Sequence, residues 1–196
     1  FDVHSIAFAL KDGTYTMFGV APSFSTNLGE KIVKPVVLEN GFNDVPQFSF
    51  SDYAIARKDG KYGILKASGK WLVPNEFNSI GKDSSFNMYK LERDGLIGYA
   101  TYDGTVVFPA EFKSIGWLAQ DIIIADNGKI GLFKPDGSVI IPAEYDSIDH
   151  FASNLILTKD RKLGLASMDG NIIIPVEFYA IEQMQDGQFM VSGADG

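Results

Sequence analysis

Four glutamates are the residues whose type and spacing could do chemistry. Glu76, Glu111, Glu144 and Glu177 each lie two residues after a proline (Pro74, Pro109, Pro142 and Pro175), and each is followed by an aromatic ring (Phe77, Phe112, Tyr145 and Phe178). Carboxylates at one place in a recurring pattern could line a rim and capture a cationic ligand. In that place they could equally accept backbone N–H groups left over in a turn, in charge-assisted bonds worth about 1.5–3 kcal/mol. The structural role is preferred, because a group present in each unit is one that each unit needs. Tyr15, Phe18 and Phe24 join the glutamates as candidate ligand contacts, since they fall in an aromatic-rich stretch, 14–28.

Other chemistry is thinly supplied. The two histidines, His4 and His150, stand outside the recurring pattern, and no His-Glu-x-x-His, Gly-x-Ser-x-Gly or phosphate-loop motif occurs. The chain has no cysteine, so disulfides, thiolate metal sites and cysteine nucleophiles are excluded. Its Asp-Gly pairs lack the clustered oxygen ligands that calcium requires. No enzyme activity, cofactor or metal is therefore expected. A net charge of −8 opposes binding to nucleic acid or an anionic membrane surface; it suits a basic protein patch, and it also suits solubility alone. No apolar run approaches the roughly 20 residues of a membrane-spanning helix, so membrane insertion is not expected. The chain opens at Phe1 without Met, as after removal of a leader or trimming, and a periplasmic or extracellular place is expected over a cytoplasmic one. The lack of any Asn-x-Ser/Thr acceptor weighs against a eukaryotic secreted origin.

The elements that must position these residues recur too. Gly69, Gly104, Gly137 and Gly170 precede the prolines by five residues, Gly63, Gly98, Gly131 and Gly164 keep the same beat, and Ile80, Ile115, Ile148 and Ile181 close each unit. The prolines are spaced by 35, 33 and 33 residues. Such a period predicts one supersecondary unit stacked on copies of itself. Apolar runs at 122–124, 131–133 and 139–141, parted by Asn127-Gly128 and Asp136-Gly137, predict a three-stranded antiparallel meander with tight hairpin turns. Asp59-Gly60, Asp94-Gly95, Asp103-Gly104 and Asp169-Gly170 repeat the turn signal. Pro142 is placed at the end of the third strand, and 144–148 is a short fourth edge strand or a turn back.

The fold class is all-β, a tandem array of about five short meanders at 6–42, 53–80, 88–115, 122–148 and 155–181, in a single repeat domain over 1–196. Residues 188–196 are a partial sixth copy or a closing strand. Because 122–125, 139–141 and 172–174 are apolar on successive residues, both faces of those strands are expected to be covered, as in a propeller-like array; an open superhelix or solenoid is the alternative. Aligning Gly19 with Gly63 makes the first copy longer than the rest, with the extra residues in 14–28. That stretch is a binding insertion or the unusual surface of a capping repeat. Phe86, Trp117, Phe151 and Met184, one large apolar residue per joint, are expected to fill the wedges between units.

Lys-Asp-Gly-Lys-Tyr-Gly-Ile at 58–64, followed by Ser68-Gly69-Lys70, Val73-Pro74 and Phe77, resembles the bacterial WG repeat, also called KWG. The resemblance covers 53–181 well and 6–42 weakly. The chain departs from it where the family has tryptophan: Tyr62, Ile97, Ile130 and Leu163 stand there, with Phe18 in the first copy. The resemblance implies a binding or scaffolding repeat more than a chemistry. The expected function is a non-enzymatic interaction module that binds a protein or other macromolecule. An acidic immunity protein or inhibitor of a basic toxin or enzyme is a second possibility, and a glycan-binding lectin or hydrolase using pocket carboxylates is a third.

Overall fold

The computed structural model describes residues 5–20, 35–48, 52–151, 153–185 and 187–193, and every regular element among them is a β-strand. Strands β1 (Ser5–Lys11), β2 (Thr14–Val20) and β3 (Val36–Phe42) join β4 (Tyr53–Lys58), β5 (Lys61–Lys66) and β6 (Trp71–Phe77) in one sheet, in chain order. Next come β7 (Ser79–Asp83), β8 (Met88–Arg93), β9 (Leu96–Ala100) and β10 (Val106–Phe112), a four-stranded antiparallel meander. A second meander holds β11 (Ser114–Ala119), β12 (Ile122–Asp126), β13 (Ile130–Phe133) and β14 (Val139–Tyr145). The third holds β15 (Ser147–Phe151), β16 (Asn154–Lys159), β17 (Lys162–Ser167) and β18 (Ile172–Phe178), and β19 (Ala180–Gln183) pairs with β20 (Phe189–Ser192). Contacts group the chain into two compact units, Phe1–Ala110 and Glu111–Gly196.

A complete sheet thus has four strands where the sequence suggested three. The segment after each proline is divided: Glu144 and Tyr145 finish β14, and Ser147 already begins the next sheet. One sequence period therefore straddles two sheets. The six-stranded sheet consists of the second, third and fourth strands of two copies, joined by the single bridge Phe42↔Lys58.

Two kinds of turn make the meander. Between second and third strands, Asp12-Gly13, Asp59-Gly60 and Asp94-Gly95 have positive φ at both residues (51° and 78°, 53° and 78°, 53° and 82°), as a two-residue hairpin of right-handed twist demands. Between third and fourth strands only the glycine is left-handed: Gly69, Gly104, Gly137 and Gly170 have φ of 83–89°. Before Gly104, Gly137 and Gly170 stands an Asp that acts through its carboxylate. Asp136 accepts the Ser138 N–H at 2.9 Å and its hydroxyl at 2.6 Å, Asp103 accepts the Thr105 N–H at 3.1 Å, and Asp169 accepts the Ser167 hydroxyl. Those bonds hold all three carboxyls below their ordinary range, with the hydroxyls of Thr101, Ser138 and Ser167 the main cause.

The prolines sit inside the fourth strand, not at its end. Tyr62 pairs with Phe77 and Ile64 with Val73, so Gly63 alone faces Pro74, Asn75 and Glu76; the shifts at Ile130/Leu132 and Leu163/Leu165 repeat this bulge. A proline is tolerated there because a bulge on an edge strand leaves its missing N–H without a ladder partner to lose. The glycine is required because the bulge presses on it. A Cβ on Gly63 would lie 2.7 Å from the Val73 carbonyl oxygen, and one on Gly131 would lie 2.7 Å from the Ala143 Cα. A second shift follows at once: Ile64 pairs with Val73 but Leu65 with Trp71, which leaves Leu72 out of the ladder. Leu38, Ile140 and Ile173 are left out in the same way.

The core lies between successive sheets. Ile64, Val73 and Phe77 pack with Tyr89, Leu91, Ala100 and Ala110, while Leu132, Ile141 and Tyr145 pack with Ile148, Leu155, Leu157 and Ala166. In each of these two clusters neighbouring sheets hide the apolar faces that one sheet alone would expose. Covering of both faces does not extend to the apolar triplets: Val139, Ile172 and Ile173 are exposed, because the bulges turn part of each fourth strand outward. Nor do the joint residues fill wedges as a class. Phe86 rests on Tyr99 of its own sheet with centroids 4.5 Å apart, and Phe151 is 6.2 Å from Phe189, whereas Trp117 and Met184 are exposed.

The first copy has a different register from the one its glycines suggest. Tyr15 pairs with Phe42 as Tyr62 pairs with Phe77, so Tyr15 takes the place assigned to Phe18, and Thr16 stands where later copies have Gly63. Residues 14–20 are strand β2, and the additional length falls between β2 and β3. Phe24 and most of that connection lie outside the described residues.

Candidate binding groove

The residue following the aromatic that ends each fourth strand bonds to the second strand of the next copy. The N–H groups of Asn43, Asn78, Lys113, Asp146 and Tyr179 donate to the carbonyls of Arg57, Glu92, Asp126, Thr158 and Ser192 at 2.6–2.9 Å. At three of these residues the side chain bonds as well. Asn43 accepts the Gly60 N–H at 3.0 Å, Asn78 the Asp94 N–H at 2.9 Å, and Asp146 the Asp160 N–H at 2.8 Å. Asp146 also accepts from the Lys129 ammonium, which is the main reason its carboxyl is held below the ordinary range.

Turn N–H groups therefore go to the residue two beyond Glu76 and two beyond Glu144. Glu76 instead pairs with Arg93 at 2.5 Å, and Glu144 with Lys159 at 3.0 Å. Both cations end the second strand of the following sheet, and both lie 5.8 Å from the centroid of the ring next to the glutamate, Phe77 and Tyr145. The same clamp of carboxylate, cation and ring is thus built twice. By the strand registers, the cation's position holds Asn127 and Gly193 in the other two copies. Accordingly, among the described residues neither Glu111 nor Glu177 forms an ion pair. Asn43, Asn78 and Asp146 were legible as short acceptors four residues past the proline or its equivalent, but Lys113 and Tyr179 interrupt the pattern.

The aromatic candidates have a mainly structural setting. Tyr15 is half-buried against the cluster of Met17, Phe42, Ala56 and Leu65, and Phe18 is half-buried in β2. All four glutamates are exposed. The structure gathers one of them into a concave site.

That site is a groove of about 520 Å³ in the unit Glu111–Gly196. Glu144, Tyr145, Lys159, Asp160 and Lys162 form its polar lining, and Ile172, Pro175 and Val176 form its apolar wall. The outward turn of β18 at its bulges puts the apolar residues there. The ammonium of Lys159 is held above its ordinary range, chiefly by the bond to Glu144, and burial pushes the Tyr145 phenol up. Lysine therefore stays charged and tyrosine neutral near pH 7, so neither is poised to exchange a proton. The lining offers a cation, carboxylates and apolar surface side by side. It is suited to an amphipathic segment.

A smaller hollow of about 260 Å³ lies over Ser79, Gly81, Lys82, Asp83, Ser84, Lys90 and Glu92. Its groups largely satisfy one another: Glu92 takes the Ser79 hydroxyl and the Lys90 ammonium at 2.7 Å each, and Asp83 takes the Tyr99 hydroxyl at 2.9 Å. Among the described residues no three His, Cys, Asp or Glu side chains come together as a metal site.

Residues 130–162 match the family described as WG containing repeat, and this stretch runs from β13 through β16 to the first residue of β17. No curated protein matches the chain. Among solved structures the chain is similar to PorZ, described as an essential bacterial surface component of the type-IX secretion system of Porphyromonas gingivalis, with 7% identity and a TM-score of 0.26. The similarity covers 97% of this chain and 34% of PorZ, so the chain spans about one third of that protein's length.

Proposed function

We propose that this array of WG containing repeats is a non-enzymatic interaction module that binds a protein segment in the groove beside Glu144 and Lys159. The observation that carries the reading is the groove's composition. A charged rim of Glu144, Lys159, Asp160 and Lys162 faces an apolar wall of Ile172, Pro175 and Val176. Binding sites of this sort draw affinity from apolar burial and register from a few placed charges. The groove has no paired nucleophile and base.

The test is selection of displayed peptides on the full chain, followed by affinity measurement on variants. Peptides that bind the groove lose at least tenfold with Val176→Asp and with Lys162→Glu. Selected peptides that bind both variants as tightly as the parent would refute the reading.

A second reading rests on Glu111 and Glu177, whose copies lack the clamping cation. Two exposed carboxylates in a chain of net charge −8 suit a basic protein surface, as an acidic inhibitor would require. Under this reading affinity falls steeply with salt and with Glu111→Gln, and is indifferent to Val176→Asp.

A further inference from the structure

The turns between second and third strands differ at one position. Gly13, Gly60, Gly95 and Gly128 follow Asp12, Asp59, Asp94 and Asn127, but Asp160 is followed by Arg161. Asp160 and Arg161 still adopt the left-handed backbone, with φ of 51° and 64°. Every other positive-φ residue among those described is Gly, Asp or Asn, the types that tolerate this region, whereas a long side chain is strained in it. Strain of this kind gathers at ligand-binding sites, where a requirement other than local stability maintains it. The strained turn stands at the rim of the groove. Arg161 is exposed, and its neighbours Asp160 and Lys162 both belong to the lining.

Lys162 gives an independent observation. Its counterpart one copy earlier, Lys129, is neutralised by Asp146, 17 residues further on. The same step from Lys162 reaches Tyr179, which carries no carboxylate. Among the described residues neither Arg161 nor Lys162 forms an ion pair. The carboxylates of the lining are directed to another cation: Glu144 pairs with Lys159, and Asp160 acts on the same ammonium. A chain of net charge −8 thus presents two adjacent unpaired cations, beside a wall of Ile172, Pro175 and Val176.

We infer that the segment taken by the groove is acidic: an apolar side chain lies on Ile172, Pro175 and Val176, and a carboxylate beside it pairs with Lys162 and Arg161. This rests on the groove's being the binding site, as proposed above, and adds the charge of the occupant and the residue that selects it. Arg161 occupies a position suited to glycine because its guanidinium takes a carboxylate in a two-pronged bond, which a glycine cannot do. The acidic remainder of the chain repels the same segment, so the two cations also confine it to this rim.

The probe is a library of random peptides displayed on phage and selected on the full chain. Groove binders are those released by the double variant Ile172→Ser, Val176→Ser, which removes apolar surface without altering charge. They are expected to carry net negative charge, and as synthetic peptides to bind Arg161→Gly about tenfold more weakly than the parent chain. Arg161→Gly is nevertheless expected to melt no lower than the parent, since it relieves the turn. Replacing the Glu and Asp of a peptide by Gln and Asn removes the difference between parent and Arg161→Gly. Groove binders that are neutral or basic, or acidic ones that bind Arg161→Gly as tightly as the parent, overturn the inference and leave the groove as a site. A lower melting temperature for Arg161→Gly would make the arginine structural and overturn it too. A selection that yields no binder released by the double variant overturns both the inference and the groove.

Discussion

Leu72 lies so close to Gly104 that a side chain on the glycine would start 2.7 Å from the leucine Cβ. Leu72 is the residue that the second bulge pushes out of the β5–β6 ladder, and Gly104 is the left-handed residue of the next sheet's last turn. An irregularity within one sheet is thus the contact that seats the next. Leu38 with Gly69 and Ile140 with Gly170 repeat the relationship.

The first bulge makes its own demand. A Cβ on Gly98 would lie 2.6 Å from the Pro109 carbonyl carbon and 2.7 Å from the Ala110 nitrogen, while one on Gly81 would meet nothing within 4 Å. Neither glycine has positive φ, so only space distinguishes them. Gly98→Ala is expected to cost about 2 kcal/mol by overpacking, and Gly81→Ala to be neutral or stabilising by up to about 1 kcal/mol. Chemical denaturation of the two variants checks this, and equal effects would count against the bulge.

Asp146 should matter more to stability than Glu144. Asp146 accepts a turn N–H and the Lys129 ammonium at the crossing between sheets, whereas Glu144 holds an exposed ion pair worth about 0.2–1 kcal/mol. Asp146→Ala is expected to lower the melting temperature more than Glu144→Gln does, since it removes a turn acceptor as well as an ion pair. Thermal melts of the two single variants give the comparison. A larger loss for Glu144→Gln would restore the glutamate as the structural carboxylate.

Acid should loosen the third-to-fourth turns. Asp103, Asp136, Asp169 and Asp146 are all held below the ordinary aspartate range. A carboxyl whose pKa is depressed on folding contributes stability that is fully present above its unfolded value and is lost as pH falls through its folded one. The melting temperature is therefore expected to fall progressively below about pH 4. Thr101→Ala should raise the titration midpoint of Asp103, as followed by carboxyl-carbon NMR. An unmoved midpoint would show that the threonine hydroxyl is not the cause.

Much of this was legible because the repeat is written in residues with rigid demands. Gly63, Gly98, Gly131 and Gly164 and the prolines at 74, 109, 142 and 175 give the period, and Asp59-Gly60 and Asp94-Gly95 give true two-residue hairpins. The bulges were not legible. Pro142 looks like the end of a strand, and only the pairing of Ile130 with Tyr145 and of Leu132 with Ile141 reveals that the strand continues with extra residues. The same blindness made 139–141 look doubly buried and misplaced the first copy, where Thr16 stands at the glycine position and the decoy Gly19 drew the alignment. As for the site, Glu144 could be picked out by its recurrence. Lys159 could not, since its counterparts are Arg93, Asn127 and Gly193, and a position that varies in charge leaves no periodic signal.

The seating of sheet on sheet is tested most directly by comparing Gly104→Ala with Gly60→Ala in thermal unfolding. Both glycines are left-handed, with φ of 87° and 78°, but a Cβ on Gly60 would meet nothing within 4 Å. The backbone penalty is therefore shared, at about 1–2 kcal/mol, and the contact with Leu72 adds about 1–3 kcal/mol for Gly104 alone. The account predicts that Gly104→Ala lowers the melting temperature by at least about 3 °C more than Gly60→Ala does. Equal losses from the two substitutions would contradict it.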